Sequence, residues 1–316
     1  MKIKNKLYLL TIILLILIVL FIGIGLNTNN WKYVLSRRIP KVLAILFTGS
    51  AIAFSSTIFQ TITNNRILTP SILGLDSLYN FIQTFIVFIF GSNAIARTDG
   101  KLNFLLSVGF MSLFAIVLFK LLFKKEGNNL IFMLLIGMVF GTFFQSLSSF
   151  MQVLIDPNEF LNLQNKMFAS FNNINTNVLW LASIGMFISF IFIFKHLKSL
   201  DIISLGRENA INLGIDHDKV VKFMLIIISI LVSISTALVG PIMFLGVLVV
   251  NINREFLDTY KHKYLIVGAM LKSSIFLIGG QLIAERIMSF STPINVVINF
   301  IGGLYFISLI LKEDKI

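Results

Sequence analysis

The sequence predicts an all-α, polytopic membrane protein of about ten transmembrane helices with both termini cytoplasmic. Composition is the first sign. Apolar residues make up 57% of the 316-residue chain and charged residues only 13%, whereas soluble domains run near roughly 45–50% and 25%. Mean hydropathy is +0.92. The second sign is length: apolar segments recur at 7–26, 42–62, 72–91, 102–123, 130–152, 178–195, 222–239, 242–252, 264–283 and 294–311, most of them close to the ~20 residues that cross a bilayer. The third is charge. With the N-terminus inside, 17 Lys and Arg fall in inner segments, 8 in outer loops and one within a span, which is the bias that cytoplasmic loops carry. No polar stretch is long enough for a soluble domain, so residues 1–316 are expected to form one transmembrane domain.

The elements follow in order. "MKIKNKLYLLTIILLILIVLFIGIGL" sets three lysines before a long apolar run; a secretory signal has a shorter core and a small-residue cleavage site, so this reads as an uncleaved first span. Before the second span stands "SRRIPK", residues 36–41, with Pro40 suited to a helix first turn. Residues 27–30 and 125–129 read as turns. The segment 153–177 is too polar to span and is expected to form a short outer surface helix and loop. The loop 195–222 has a helical pattern around "SLGRENAINLG", with Gly206 and Gly214 as breakers and Asp216 and Asp218 opening the next helix. Gly240-Pro241 precedes the short eighth segment, which is expected to be broken or tilted.

Several chemistries drop out. The chain has no cysteine, which removes disulfides and thiolate metal sites. Its three histidines, His196, His217 and His262, fall in expected polar loops, so no metal site and no cofactor is expected. The net charge of +12 follows from topology rather than from nucleic-acid binding. No carboxylate pair, His pair or Ser–His arrangement is legible within the spans, which argues against an intramembrane enzyme. A proton-coupled secondary carrier would need a titratable relay, and Asp76, near a span start, serves equally as a helix cap.

Some features remain to be explained. Gly49, Ala53, Ser56 and Gln60 recur at helical spacing in the second span, and Thr142, Gln145, Ser149 and Gln152 in the fifth. Such stripes are either glue between helices or the wet lining of a path. Lys272 lies near the middle of the ninth span, where it either snorkels or serves function. Half of the outer basic residues are Lys32, Arg37, Arg38 and Lys41, against the positive-inside rule. With Glu285-Arg286 they set basic groups at two distant points of an outer rim, suited to steering an acidic partner or to anchoring in headgroups. The length of loop 195–222 suggests docking of a cytoplasmic partner.

These residues resemble the FecCD-type permeases of ABC importers for ferric siderophores, haem and cobalamin, from about residue 30 to the C-terminus. "RIPK" (38–41) is similar to the family's Arg-x-Pro-Arg. The stretch from Gln60 to Gly74 keeps Gln60, Asn65, Pro70 and Gly74 of the family pattern, with Arg66 where Pro is usual. "LGRENAINLG" (205–214) resembles the coupling loop, and "GPIMFLGVLVVNINR" (240–254) a Gly-x-Ile-x-Phe-x-Gly stretch with Val250-Asn251 in place of Pro-His. "KMFASFNNIN", "GGQLIAERI" and "NFIGGLYFISLILKE" look like the catecholate siderophore branch, including petrobactin importers. The resemblance implies a BtuC-like type II importer permease that catalyses nothing itself. It also implies a second permease subunit, a heterodimer being favoured, and a cytoplasmic ATPase dimer docked on Gly206, Arg207, Glu208, Ala210, Leu213 and Gly214. Outside, a siderophore-binding lipoprotein would meet Arg38, Lys41 and Arg286. Ser56, Gln60, Thr142, Gln145, Ser149 and Gln152 would line the pathway at the subunit interface. Haem or cobalamin is the alternative cargo.

Overall fold

The computed structural model describes residues 2–27, 31–91, 100–122, 130–172, 174–288 and 293–313. The turn expected at 125–129 and most of that at 27–30 lie outside them. The described residues form helices and connecting turns, with no strand among them. In chain order the helices are α1 (Ile3–Gly23), α2 (Trp31–Ile62), a 3₁₀ turn (Pro70–Leu73), α3 (Leu75–Phe90), α4 (Gly100–Leu122), α5 (Leu130–Leu154), α6 (Pro157–Met167), α7 (Thr176–Phe194), α8 (Leu197–Ile203), α9 (Arg207–Asn212), α10 (His217–Val239), α11 (Leu245–Leu257), α12 (His262–Arg286) and α13 (Ile294–Glu313). Ten of them coincide with the ten expected apolar segments. Seven are long and apolar enough to cross a membrane, while α3 and the apolar part of α13 are shorter.

α2 and α10 form the axis of the bundle. Most of each is buried, whereas α1 and α5 show most of their surface outward. The reason lies in side-chain size. Without a hydrophobic drive between helices in lipid, close approach must come from small residues, and the middle of α2 reads Gly49-Ser-Ala-Ile-Ala-Phe-Ser-Ser-Thr57. α2 thereby packs on α10, α11 and α12. Phe54, Ile58 and Phe59 of α2 fill one core with α3, α4, α7 and α10, and Val42, Ala44 and Ile45 fill a second with α1, α11 and α12.

A second close approach fixes α5. The turn at Pro70–Leu73 ends on Gly74 in the left-handed region (φ +77°). It seats against Gly137 and Gly141, where an added Cβ would meet backbone at 2.9 and 3.3 Å. Four-residue spacing of glycines is the usual way to let backbone reach a transmembrane helix.

Two expectations need correction. Pro40 is not in a first turn: α2 begins at Trp31, so Pro40 sits inside the helix and returns no N–H to the Ser36 carbonyl. Hydropathy dates the span from residue 42 because it reads solvent, while the helix starts earlier on backbone bonding alone. The coupling segment forms two helices, α8 and α9, broken at Gly206 (φ +97°) as expected. The histidines do not all lie in loops; His217 and His262 open α10 and α12 and are 7% and 2% exposed. The surface helix (α6), the break at Gly240 and the capping of α10 by Asp216 all occur as expected.

Candidate functional site

Three regions carry polar chemistry. The first is the rim at the end of α1. Arg38 donates from one nitrogen to the carbonyls of Ile22 and Ile24, both at 2.7 Å, and Arg286 donates to Ile24 O at 2.9 Å. The last carbonyls of a helix have no partner within it, and charged donors at that end also meet the negative pole of the dipole. The two arginines therefore cap one helix together. They are not at distant points of the rim, as their separation in sequence suggested.

Lys41 is occupied as well. Its Nζ pairs with Glu285 Oε1 at 2.8 Å and donates to Asn172 Oδ1 at 3.1 Å. Gln281 donates to the same two oxygens at 2.9 and 3.0 Å. Glu285 thus balances Lys41, not the neighbouring Arg286. Of the rim cations, Arg37 and Arg286 are exposed, while Arg38 and Lys41 are half-buried.

The second region comprises the two polar stripes, which the fold does not bring face to face. Gly49, Ala53, Ser56 and Gln60 lie inside the subunit, with Ser56 2% and Gln60 1% exposed. Gly49 approaches Leu277 and Ser273 of α12, and Ser56 packs on Gly246 of α11. Gln60 buries both side-chain polar atoms without a protein partner among the described residues. Among the described residues this stripe belongs to internal packing, with Ser56 beside a small cavity that Asp76 and Thr236 also line. Thr142, Gln145 and Ser149 instead face outward on α5, and Gln152 turns back to donate to Thr84 Oγ1 at 3.3 Å. Asp76 is no cap: it is buried and accepts from Thr236 Oγ1 on α10 at 3.2 Å.

Lys272 does not reach open surface. Its Nζ donates to Ile252 O at 2.8 Å and stands 4.2 Å from the Phe256 ring centre, while Lys6 donates to Phe256 O at 2.6 Å. Both lysines secure α11. Asn251, at a point of departure from the family pattern, donates to the carbonyl of Arg66, another such point, at 2.9 Å.

The third region is the helix pair α8–α9. Ala210 is fully buried, whereas Leu205, Ile211 and Leu213 are 57%, 48% and 59% exposed. Gly206 and Gly214 hold positive φ with open space around them. Arg207 reaches Asp218 at 3.3 Å. Asp216 caps α10 by accepting from Lys219 N at 3.2 Å and pairs with its Nζ at 2.7 Å; hydrogen bonding by Lys219 holds that carboxyl below its ordinary value of 3.8. A buried contact that the sequence reading missed joins this region to the bundle: Asp201 of α8 accepts from both N and Nδ1 of His262, at 2.8 and 2.7 Å. The ring's Nε2 lies 2.8 Å from Thr61 Oγ1. No local pattern signals it, since the three residues stand far apart in the chain.

A bundle of close-packed spans, a polar face left outward on α5 and a helix pair with exposed apolar residues together describe a membrane-embedded transport permease. The chain belongs to the FecCD transport family, whose model matches residues 7–312. It is 63% identical over 286 residues to the petrobactin import system permease protein YclO of Bacillus subtilis (strain 168), covering 90% of this chain and 91% of that one. It is 34% identical over 280 residues to the petrobactin import system permease protein FatC of Bacillus anthracis, covering 89% and 79%. An inward-facing metal-chelate type ABC transporter has the same fold, with a TM-score of 0.84 at 22% identity over 98% of this chain and all of that one.

Proposed function

We propose that the chain is a permease subunit of an ATP-binding-cassette importer for a ferric siderophore of the petrobactin kind, in the cytoplasmic membrane with both termini inside. The observation that carries this reading is the 63% identity along 90% of the chain to a permease named for petrobactin import. The whole chain acts as one permease domain. Its partners are a cytoplasmic ATPase dimer, a second and different permease, and an extracellular siderophore-binding lipoprotein.

The geometry fits these roles. Exposed Ile211 and Leu213 beside Arg207 and Glu208 make α9 the ATPase contact, while Gly206, Ala210 and Gly214 give it shape. Thr142, Gln145 and Ser149 face outward where a second permease would close a path, so the pathway is assigned to α5 and not to Ser56 or Gln60. Arg286 presents the accessible charge to the binding protein, while Arg38 and Lys41 hold the rim together. Direction is assigned to ATP in the partner.

The test is uptake of radiolabelled ferric petrobactin into liposomes holding both permeases and the ATPase, with binding protein outside and ATP inside. Uptake is expected only with ATP. Uptake driven by a proton gradient in the absence of the ATPase overturns the reading.

A further inference from the structure

We propose that His262 is a positioning residue that locks the cytoplasmic helix pair to the transmembrane bundle, so that movement of α8–α9 is delivered to α2 and α12. The proposal rests on the importer reading above, because it needs an ATPase acting on that helix pair. The observation is the chain of contacts Asp201–His262–Thr61, with each link between 2.7 and 2.8 Å. It joins three elements: α8, the first residue of α12 and the last turn of α2. His262 is 2% and Thr61 5% exposed, whereas the side chain of Asp201, on the helix pair itself, is 33% exposed.

The geometry decides what such a chain can do. Asp201 Oδ1 takes two hydrogen bonds from one residue, from backbone and ring, which fixes the rotation of the imidazole. Nδ1 faces the carboxylate, so the ring must carry a proton there for that bond to exist. With the proton on Nδ1, the neutral ring accepts at Nε2 from the Thr61 hydroxyl, 2.8 Å away, and the same hydroxyl lies 2.9 Å from Thr57 O, which ties the ring to α2. Beside this chain, a cavity of 170 Å³ separates the end of α2 (Thr61 to Asn64) from Gly206, Arg207 and Asp218. Leu200 packs on the core as well, but an apolar contact can slide, while directional hydrogen bonds hold register. A displaced α8 therefore carries α12 and α2 with it through His262.

The test uses the complete importer, with the iron moved per ATP hydrolysed as readout. Thr61→Val keeps the side-chain shape and removes the hydroxyl; Thr61→Ser keeps the hydroxyl. Thr61→Val and His262→Asn are expected to lower iron moved per ATP about five-fold, the change that loss of one buried hydrogen bond commands. ATP hydrolysis and recovery of the assembled complex should stay unchanged, and Thr61→Ser should transport as the unmodified protein does. A ratio unchanged in Thr61→Val and His262→Asn overturns the proposal, as does an equal loss in Thr61→Ser. If the unmodified complex moves no ferric petrobactin with ATP, the importer reading fails and the lock falls with it, an outcome distinct from failure of the variants alone.

Discussion

Single residues set the sharpest expectations. Gly137 faces the Leu73 backbone at the distance where a Cβ cannot fit, so Gly137→Ala should lower stability by about 1–3 kcal/mol, the range of overpacking. Thermal unfolding in detergent measures it. Gly214→Ala meets nothing within 4 Å and carries only the cost of positive φ, about 1 kcal/mol. Asp216 gives a pH effect of definite sign. Its carboxyl titrates lower in the folded protein than unfolded, so its cap contributes above the unfolded value and is lost as pH falls through the folded one. Hydrogen exchange at the Lys219 amide should therefore accelerate at acid pH below about 4, and Asp216→Asn should flatten that dependence. The cap was legible in the sequence because it is local. Lys41–Glu285 and Asp201–His262 were not, because residue types alone do not say which distant partner a charge will meet.

Of the seven helices long and apolar enough to cross a membrane, α1 buries the smallest share of its residues, and it is tied at both ends. Arg38 supplies two of the hydrogen bonds at Ile22 and Ile24 and Arg286 one. Arg38→Gln should thus loosen the α1 end more than Arg286→Gln, by the ~1.5–3 kcal/mol that a charged hydrogen bond is worth. Labelling of a cysteine placed at Ile24 reads the difference. Transport should respond in the opposite order if Arg286 is the contact for the binding protein. α5 was legible as a span with a polar stripe, yet the same was true of α2. Periodicity gives a face, but what covers that face depends on the small residues of neighbouring helices. Gly49 and Gly246 let α12 and α11 close over the α2 stripe, whereas none of the described helices closes over Thr142, Gln145 and Ser149.

For the molecule as a whole, hydropathy sufficed for the all-helical membrane fold class, because it follows from the bilayer as solvent; of the ten expected spans, seven are helices long and apolar enough to cross. Helix boundaries were less legible where a helix runs past the apolar zone, as α2 does at Trp31, whereas the break at Gly206 was legible because glycine signals it locally. On the proposed function, Gln145→Trp should block ferric petrobactin uptake without loss of the assembled complex, since its side chain points away from the subunit. Uptake by that variant at the normal rate would remove α5 from the pathway.

The attachments of α1 also bear on the order in which the chain is assembled. One end of this helix is held by Lys6 on Phe256 O, the other by Arg38 and by Arg286 on Ile24 O. Two of those tethers await residues made some 250 positions later. Of the described helices α1 is made before the others, yet two of its tethers come only with the C-terminal third, for which it waits in the membrane during synthesis. A chain arrested near residue 240 should therefore insert α1 but leave it open to protease and to cross-linking with lipid, until translation resumes and α11 and α12 arrive.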